Sequence, residues 1–463
     1  MKILAYAVSL ALMGATPPSD QTRDLEHRSP TTSGQRIEIR GLSGSEIEFK
    51  SWDRNEVAMT IHVRISSSDE EYEEEYVRSL NIRETKSEAT LLLEFVELRR
   101  GVRGGGFWSL FSGGNYVRKE IRGEVFVPRS NALTTDFSYG SMALENMKGE
   151  LRILGKNNSL SLKECSDVRA IENDYGESTL QNCGGDLKLQ GTSSKVTIES
   201  FAGPVDVDAR YSTITVRGVT QTASIKSQSG RITAESIGGN VTIQSDYTTI
   251  VASAIKGDLT VGTKSGNLRV KGVRGLMIEA PYTTVEASDV ASPSGKPVTF
   301  SGQSGSLTLE NVKGDLILDG PYSNMDLKNI QGSVDLLSKS SRITAEEISG
   351  DWKSKTEYST MRLRSLRSNI VRITNKSNDV RLELRTVPGE IAIRNEYGGV
   401  EVTMPKGFGG EVTLDAEYGS IDTDFPIRSK KTGSSAYAVG TVGSGKGRIT
   451  IETKSAGISL TQR

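Results

Sequence analysis

Apolar residues recur along this chain as two short alternating runs per unit, closed by one more apolar residue at a turn, and the unit is 18 residues long. From its opening glycine a unit reads G-x-h-x-h-x-x-x-[Tyr/Ser]-x-x-h-x-h-x-x-h-x. In the unit at Gly257 the h positions are Leu259, Val261, Leu268, Val270 and Val273; in the unit at Gly314 they are Leu316, Leu318, Met325, Leu327 and Ile330. Alternation with period two is the signature of a strand with one buried face. Two such strands repeated at a fixed short interval predict one structural unit stacked on copies of itself. The expected fold is therefore all-β: a parallel β-solenoid, β-helix-like, with coils of about 18 residues.

The opening position is held by Gly149, Asp167, Gly185, Gly203, Gln221, Gly239, Gly257 and Gly275, and after small insertions by Gly314, Gly332 and Gly350. Stacked in register, the last h position forms a column: Met147, Cys165, Cys183, Phe201, Val219, Ile237, Ile255, Val273, then Val312, Ile330, Ile348 and Leu366. That column is expected to be core. The turn between the two strands alternates. Tyr139, Tyr175, Tyr211, Tyr247, Tyr282, Tyr322, Tyr358 and Tyr397 alternate with Asn157, Ser193, Ser229, Ser265, Ser304 and Ser340, a spacing near 36. Coils of 18 residues with alternating turns fit this, and so does one 36-residue coil of four strands.

Residues 35–135 do not follow the repeat and read as a cap. Arg36–Lys50, Val57–Ser66 and Ala89–Leu98 alternate as strands. The acidic run SDEEYEEEYVRSL, Ser68–Leu80, reads as a helix capped by Ser68 or Asp69, its acids suiting the positive end of the helix dipole. A cap is expected because an open solenoid end exposes unpaired strand edge. The repeat domain is read as 136–463. The segment 101–116, GVRGGGFWSLFSGGNY, carries Phe107, Trp108 and Phe111 between glycines. These rings either tuck over the cap or form an exposed tip that touches a partner.

The first residues read as a secretory signal, 1–16. Lys2 precedes the apolar run Ile3–Met13, which is too short to span a bilayer, and Gly14, Ala15 and Thr16 supply small residues for cleavage. Residues 17–34 read as a flexible leader. No later stretch reaches the length of a membrane span, so no transmembrane segment is expected in the mature chain. Export places the protein in the periplasm, at the cell surface or outside the cell.

Composition adds exclusions. Lys and Arg number 57 against 58 Asp and Glu, a net charge of −1, which gives no general attraction for nucleic acid. The two histidines, His27 and His62, have no nucleophile pattern around them. GTVGSGKG (440–447) lacks the Ser or Thr that a phosphate-binding loop needs after its lysine and precedes a strand, not a helix. Cys165 and Cys183 stand one unit apart in one column. Adjacent rungs hold equivalent Cα atoms about 4.8 Å apart, within the reach of a disulfide, so the pair is either bridged or two small core residues. With two cysteines and no histidine in the array, neither a metal nor a cofactor is expected.

The stretches KGDLTVGTKSGNLRVKGV (256–273), KGDLILDGPYSNMDLKNI (313–330), PGEIAIRNEYGGVEVTMP (388–405) and GSGKGRITIETKSAGISL (443–460) resemble the putative-adhesin family of bacterial β-strand-repeat domains of unknown function. The resemblance spans roughly residues 35–463. It implies an exported β-solenoid near the envelope and transfers no catalytic residue.

Three functions are compatible with these readings. The leading one is a non-enzymatic scaffold for structure, adhesion or recognition, whose partner is an envelope polymer, a glycan or a protein. Contacts are expected at the tyrosine turns, Tyr211 and Tyr247 among them, and at the aromatic loop. A polysaccharide-active β-helix enzyme would need clustered carboxylates in a groove, and Asp206, Glu286, Asp326 and Asp335 read as scattered. An envelope-stress sensor domain binding a protein is the third.

Overall fold

The computed structural model describes residues 20–43, 46–67, 69–98 and 117–463. Residues 1–16, read above as a secretory signal, and the segment carrying Phe107, Trp108 and Phe111 lie outside the described residues. The chain is a parallel β-solenoid with coils of about 18 residues, which settles the coil length in favour of the shorter alternative. It divides into two compact units, Met1–Ser159 and Leu160–Arg463.

In the second unit each coil contributes one strand to each of two sheets. Leu187–Thr192 pairs in parallel with Val205–Arg210, and that strand with Ala223–Lys226. Lys195–Phe201 pairs with Ser212–Val219, and that with Ser229–Ile237. The register is one coil throughout: Leu189 faces Val207, Ile198 faces Val216. Inward positions are buried and outward ones polar apart from a few exposed apolar residues such as Met277, Ile317 and Leu337, so the core is the column of like residues running between the two sheets.

The last apolar column is buried along its length, from Cys165 to Leu366. Val290 belongs to it as well, paired with Val273 and Val312. The 18-residue count from Gly275 passes over it, because that coil is one residue short and an insertion at 292–297 follows. The residue before each member of the column is left-handed: φ is 54° at Glu164, 52° at Asn182, 57° at Ser200, 65° at Gly218 and 58° at Ser236. The coil closes there by a tight turn that reverses the side-chain direction. Asn and Asp tolerate that conformation best. Where they stack they also bond along the column: Asn329 donates to Asn311 at 2.9 Å, and Asn311 to Asp289 at 3.1 Å.

The last coil is not at the end. Gly447–Thr453 lies between Glu390–Tyr397 and Gly410–Ala416, parallel to both, and Ile458–Gln462 lies between Val400–Met404 and Ile421–Thr423. The glycines near 409–410 and 443–447 allow this approach; a Cβ on Gly410 would stand 2.0 Å from the Gly447 carbonyl oxygen. Outside Gly410–Ala416 the chain turns antiparallel through Ser435–Val442 to Arg428–Thr432, a fully exposed strand with Arg428, Lys430 and Lys431. A short charged edge resists pairing with another molecule.

Among the described residues the first unit has eleven elements: β1 (Gln21–Pro30), β2 (Arg36–Ser43), β3 (Ile47–Trp52), β4 (Glu56–Ser67), α1 (Glu70–Ser79), β5 (Asn81–Lys86), β6 (Thr90–Val96), β7 (Val117–Pro128), β8 (Leu133–Ser138), β9 (Ser141–Glu145) and β10 (Leu151–Lys156). Where the pattern predicts a flexible leader, β1 is a strand antiparallel to β4, held by backbone pairing along its length from Gln21 to Pro30 and not by apolar burial. His62 Nδ1 and Asp24 Oδ1 are 2.8 Å apart, and His27 Nε2 and Glu84 Oε2 likewise, so both histidines hold strands together. The cap contains coils of its own: β2 pairs with β6 and β8, β3 with β7 and β9, all in parallel. Helix α1 is capped by Asp69, whose carboxylate accepts from Tyr72 N at 3.0 Å, while buried Glu73 reaches back to accept from Ser67 N.

Candidate functional site

On the outward face of the first sheet of the second unit, one column reads Glu172, Gln190, Asp208, Lys226, Gln244, Gly262, Glu279, and the column two residues on reads Asp174, Thr192, Arg210, Gln228, Asp246, Lys264, Pro281. Side chains from both columns enclose a groove. Its main part, about 640 Å³, runs from Asp208 and Arg210 to Glu279 and Pro281, with Ser227, Ser245 and Thr263 in its lining. A smaller part of about 250 Å³ is lined by Glu172, Asp174, Gln190, Gly191, Thr192, Asp208 and Arg210. Asp208 and Arg210 belong to both, so the two hollows join across seven successive rungs.

Hydroxyls line the middle of the groove: Ser245 Oγ and Thr263 Oγ1 are 3.4 Å apart, and Ser227 Oγ donates to the Ala209 carbonyl at 2.9 Å. Lys264 Nζ sits 2.9 Å from Asp246, and that hydrogen bond raises the lysine pKa above its ordinary value. Among the described residues, no ion-pair partner lies within 4 Å of Asp208, Arg210, Lys226 or Glu279. Elsewhere on the array outward charges pair from rung to rung: Lys195 with Glu177 at 2.6 Å, Arg217 with Glu235 at 3.0 Å, Lys353 with Asp335 at 2.9 Å. Within the groove Lys264 and Asp246 follow that rung-to-rung pairing, whereas Asp208, Arg210, Lys226 and Glu279 keep their charged groups unpaired among the described residues.

Each second rung of the groove ends in an exposed tyrosine. Tyr175, Tyr211, Tyr247 and Tyr282 directly follow Asp174, Arg210, Asp246 and Pro281 and are 61%, 55%, 63% and 56% exposed. Their in-register neighbours are small: Ser229 faces Tyr247, Ser265 faces Tyr282. Successive rings therefore stand two rungs apart, about 9.6 Å. Tyr211 and Tyr247 are thus on the rim. Cys165 and Cys183 are buried thiols on consecutive rungs in unbridged form. The Cys165 thiol hydrogen-bonds Cys183 and holds its pKa below the usual thiol range.

The carboxylates sought in the sequence, Asp206, Glu286, Asp326 and Asp335, do not line this groove; Glu172, Asp174 and Asp208 do. Reading down the 172–279 and 174–281 columns together would have shown them, since Glu172 and Asp208 are 36 residues apart, the tyrosine interval, with Asp174 beside them. A second hollow of about 280 Å³, near the C-terminus, is lined by Arg362, Arg364, Arg381 and Arg463 with Glu383 and Glu401, and Arg381 pairs with Glu401 at 3.3 Å. Gly440–Gly447, the phosphate-loop look-alike, runs from one strand into the next. Among the described residues no three His, Cys, Asp or Glu side chains are grouped to hold a metal, and no helix is long and apolar enough to cross a membrane.

The model of the Toastrack DUF4097 family matches residues 226–461, just over half of the chain. The chain belongs to that family. The Toastrack match begins inside the groove, at Lys226, and runs through the intercalated last coil. No curated protein matches the chain. Two crystal structures are similar to this Toastrack chain. One is described as a "putative cell adhesion protein" from Clostridium sporogenes, 8% identical, covering 96% of this chain and 100% of its own, with a TM-score of 0.15. The other is described as a "putative lipid binding protein" from Parabacteroides distasonis, 11% identical, covering 76% of this chain and 96% of its own, with a TM-score of 0.16. At those scores neither likeness carries an argument here.

Proposed function

We propose that this Toastrack protein is a non-enzymatic recognition scaffold, exported to the bacterial envelope, that binds an extended partner along one face of its second unit. The observation that carries this reading is the ladder of exposed tyrosines on alternate rungs beside a polar groove. Tyrosine offers a large, stiff, amphipathic contact at low entropic cost, and a ladder repeats that contact at a fixed interval. Each of these rings is more than half exposed, which leaves most of its surface available to a partner.

The test is binding of the purified protein to a panel of envelope polymers, host glycans and envelope proteins, with product analysis on the same samples. Saturable binding without cleavage, weakened in Tyr211→Ala and Tyr247→Ala, supports the reading. Absence of binding to every member overturns it.

One observation favours a second reading. Glu172, Asp174 and Asp208 surround a single hollow, as a polysaccharide-cleaving site would require. Shortened polymer in the same samples, abolished in Asp208→Asn, would establish it.

A further inference from the structure

Glycine inside a strand weakens it, by about 0.5–1 kcal/mol relative to alanine, and needs a reason. Among the described strand glycines, Gly262 alone lacks both common reasons: its φ is not left-handed, and a Cβ built on it would meet nothing within 4 Å. The neighbouring rungs carry Lys226, Gln244 and Glu279 at the same position. The missing side chain opens a notch in the middle of the groove, as happens where a ligand must approach the backbone closely.

We propose that this groove seats one linear, uncharged glycan strand, lying across the rungs and passing over Gly262. The proposal rests on the recognition reading above and names its ligand. Three features select the class. The uncommitted side chains Asp208, Arg210, Lys226 and Glu279 offer acceptors and donors in equal measure, which suits hydroxyl groups that both donate and accept. The same balance disfavours an anionic polymer, which would need accumulated Lys and Arg. A peptide strand would add to a sheet edge, whereas this groove lies on a sheet face whose backbone is already paired. The length also fits. Rungs recur at about 4.8 Å, close to one sugar unit of an extended chain, and the tyrosines at about 9.6 Å, close to a disaccharide. Tyr211 and Tyr247 would then meet the apolar face of every second ring.

The experiment is calorimetric titration of the full chain with cellulose-, mannan- and chitin-derived oligosaccharides of increasing length, the last fully N-acetylated. Affinity is expected to rise with length and level off at about seven units, the number of rungs lined. Gly262→Gln, which fills the notch, is expected to weaken binding at least tenfold with a melting temperature equal to or slightly above that of the wild type, since the added Cβ meets open space and removes the strand's glycine penalty. Gly262→Ala is expected to weaken it less. Wild-type binding to none of these oligosaccharides overturns the proposal, and so does undiminished binding by Gly262→Gln. The two readings part cleanly. A chain that ignores neutral glycans but binds another polymer or a protein through Tyr211 and Tyr247 loses this proposal and keeps the recognition reading. A chain that binds nothing loses both.

Discussion

Oxidising the folded protein is expected to join Cys165 to Cys183. Both are buried, at 0% and 2% exposure. Their backbones are equivalent: the preceding residues have φ of 54° and 52°, and the two carbonyls accept from Gly184 N and Ala202 N, each at 2.8 Å. Equivalent residues on successive rungs put the Cα atoms within disulfide range, and the thiols already share a hydrogen bond. The bridge would close one coil of the unfolded chain. Loop-closure entropy for a loop of that size gives about 3 kcal/mol of stabilisation. The attacking species is a thiolate, and the hydrogen bond from Cys165 lowers the Cys183 pKa, so bridging should begin below the usual thiol pH range. That shift also stabilises the reduced fold above the ordinary thiol pKa, about 8.5, and the gain is lost as pH falls through the lowered Cys183 value. The assay is diamide treatment of folded protein, alkylation under denaturing conditions, and peptide mass mapping. Urea unfolding with and without reductant follows. Two fully alkylated cysteines after oxidation would refute the geometric argument. A bridged protein less stable than the reduced one would show that in-register parallel pairing strains the bond.

Trp352 is wholly buried between Val334 and Val371, and its indole N–H donates to Ser354 at 3.0 Å. Trp352→Ala should cost about 3–5 kcal/mol for the cavity, the Ser354 hydroxyl losing the indole donor but keeping its bond to Met361 Sδ; urea unfolding measures it, and hydrogen exchange should show the loss concentrated in the rungs around 334–374. Arg372 grips Glu390 with two hydrogen bonds of 2.8 and 2.9 Å and holds its carboxyl below the usual range. The contribution is present above the ordinary glutamate pKa and disappears as pH falls through the lowered value, so melting curves of wild type and Glu390→Gln should converge in acid.

The coils were legible because their buried positions recur at fixed spacing: Leu259, Val261, Leu268, Val270 and Val273 are all core. The tyrosine turns were legible for the same reason. Val290 escaped because a count in residues breaks where a coil shortens, while pairing in space does not. The left-handed column escaped because Glu164, Asn182, Ser200, Gly218 and Ala254 share a backbone conformation and no chemistry. Strand β1 looked like a leader because an edge strand buries little and so carries no apolar signature. Placing β2 between β6 and β8 depends on pairing across long separations, which local pattern does not encode. The groove was hidden for a different reason, since it is made partly by a side chain that is missing.

The position of the last coil has a mechanical consequence. A solenoid whose final strand lies at its end can be peeled from the terminus, one row of hydrogen bonds at a time. Here a force on Arg463 reaches Ile458–Gln462, which is bonded on one side to Val400–Met404 and on the other to Ile421–Thr423. Behind it Gly447–Thr453 is held on both sides too. Two rows must give way together before the chain can yield from this terminus. The last coil is thus held as in a clasp.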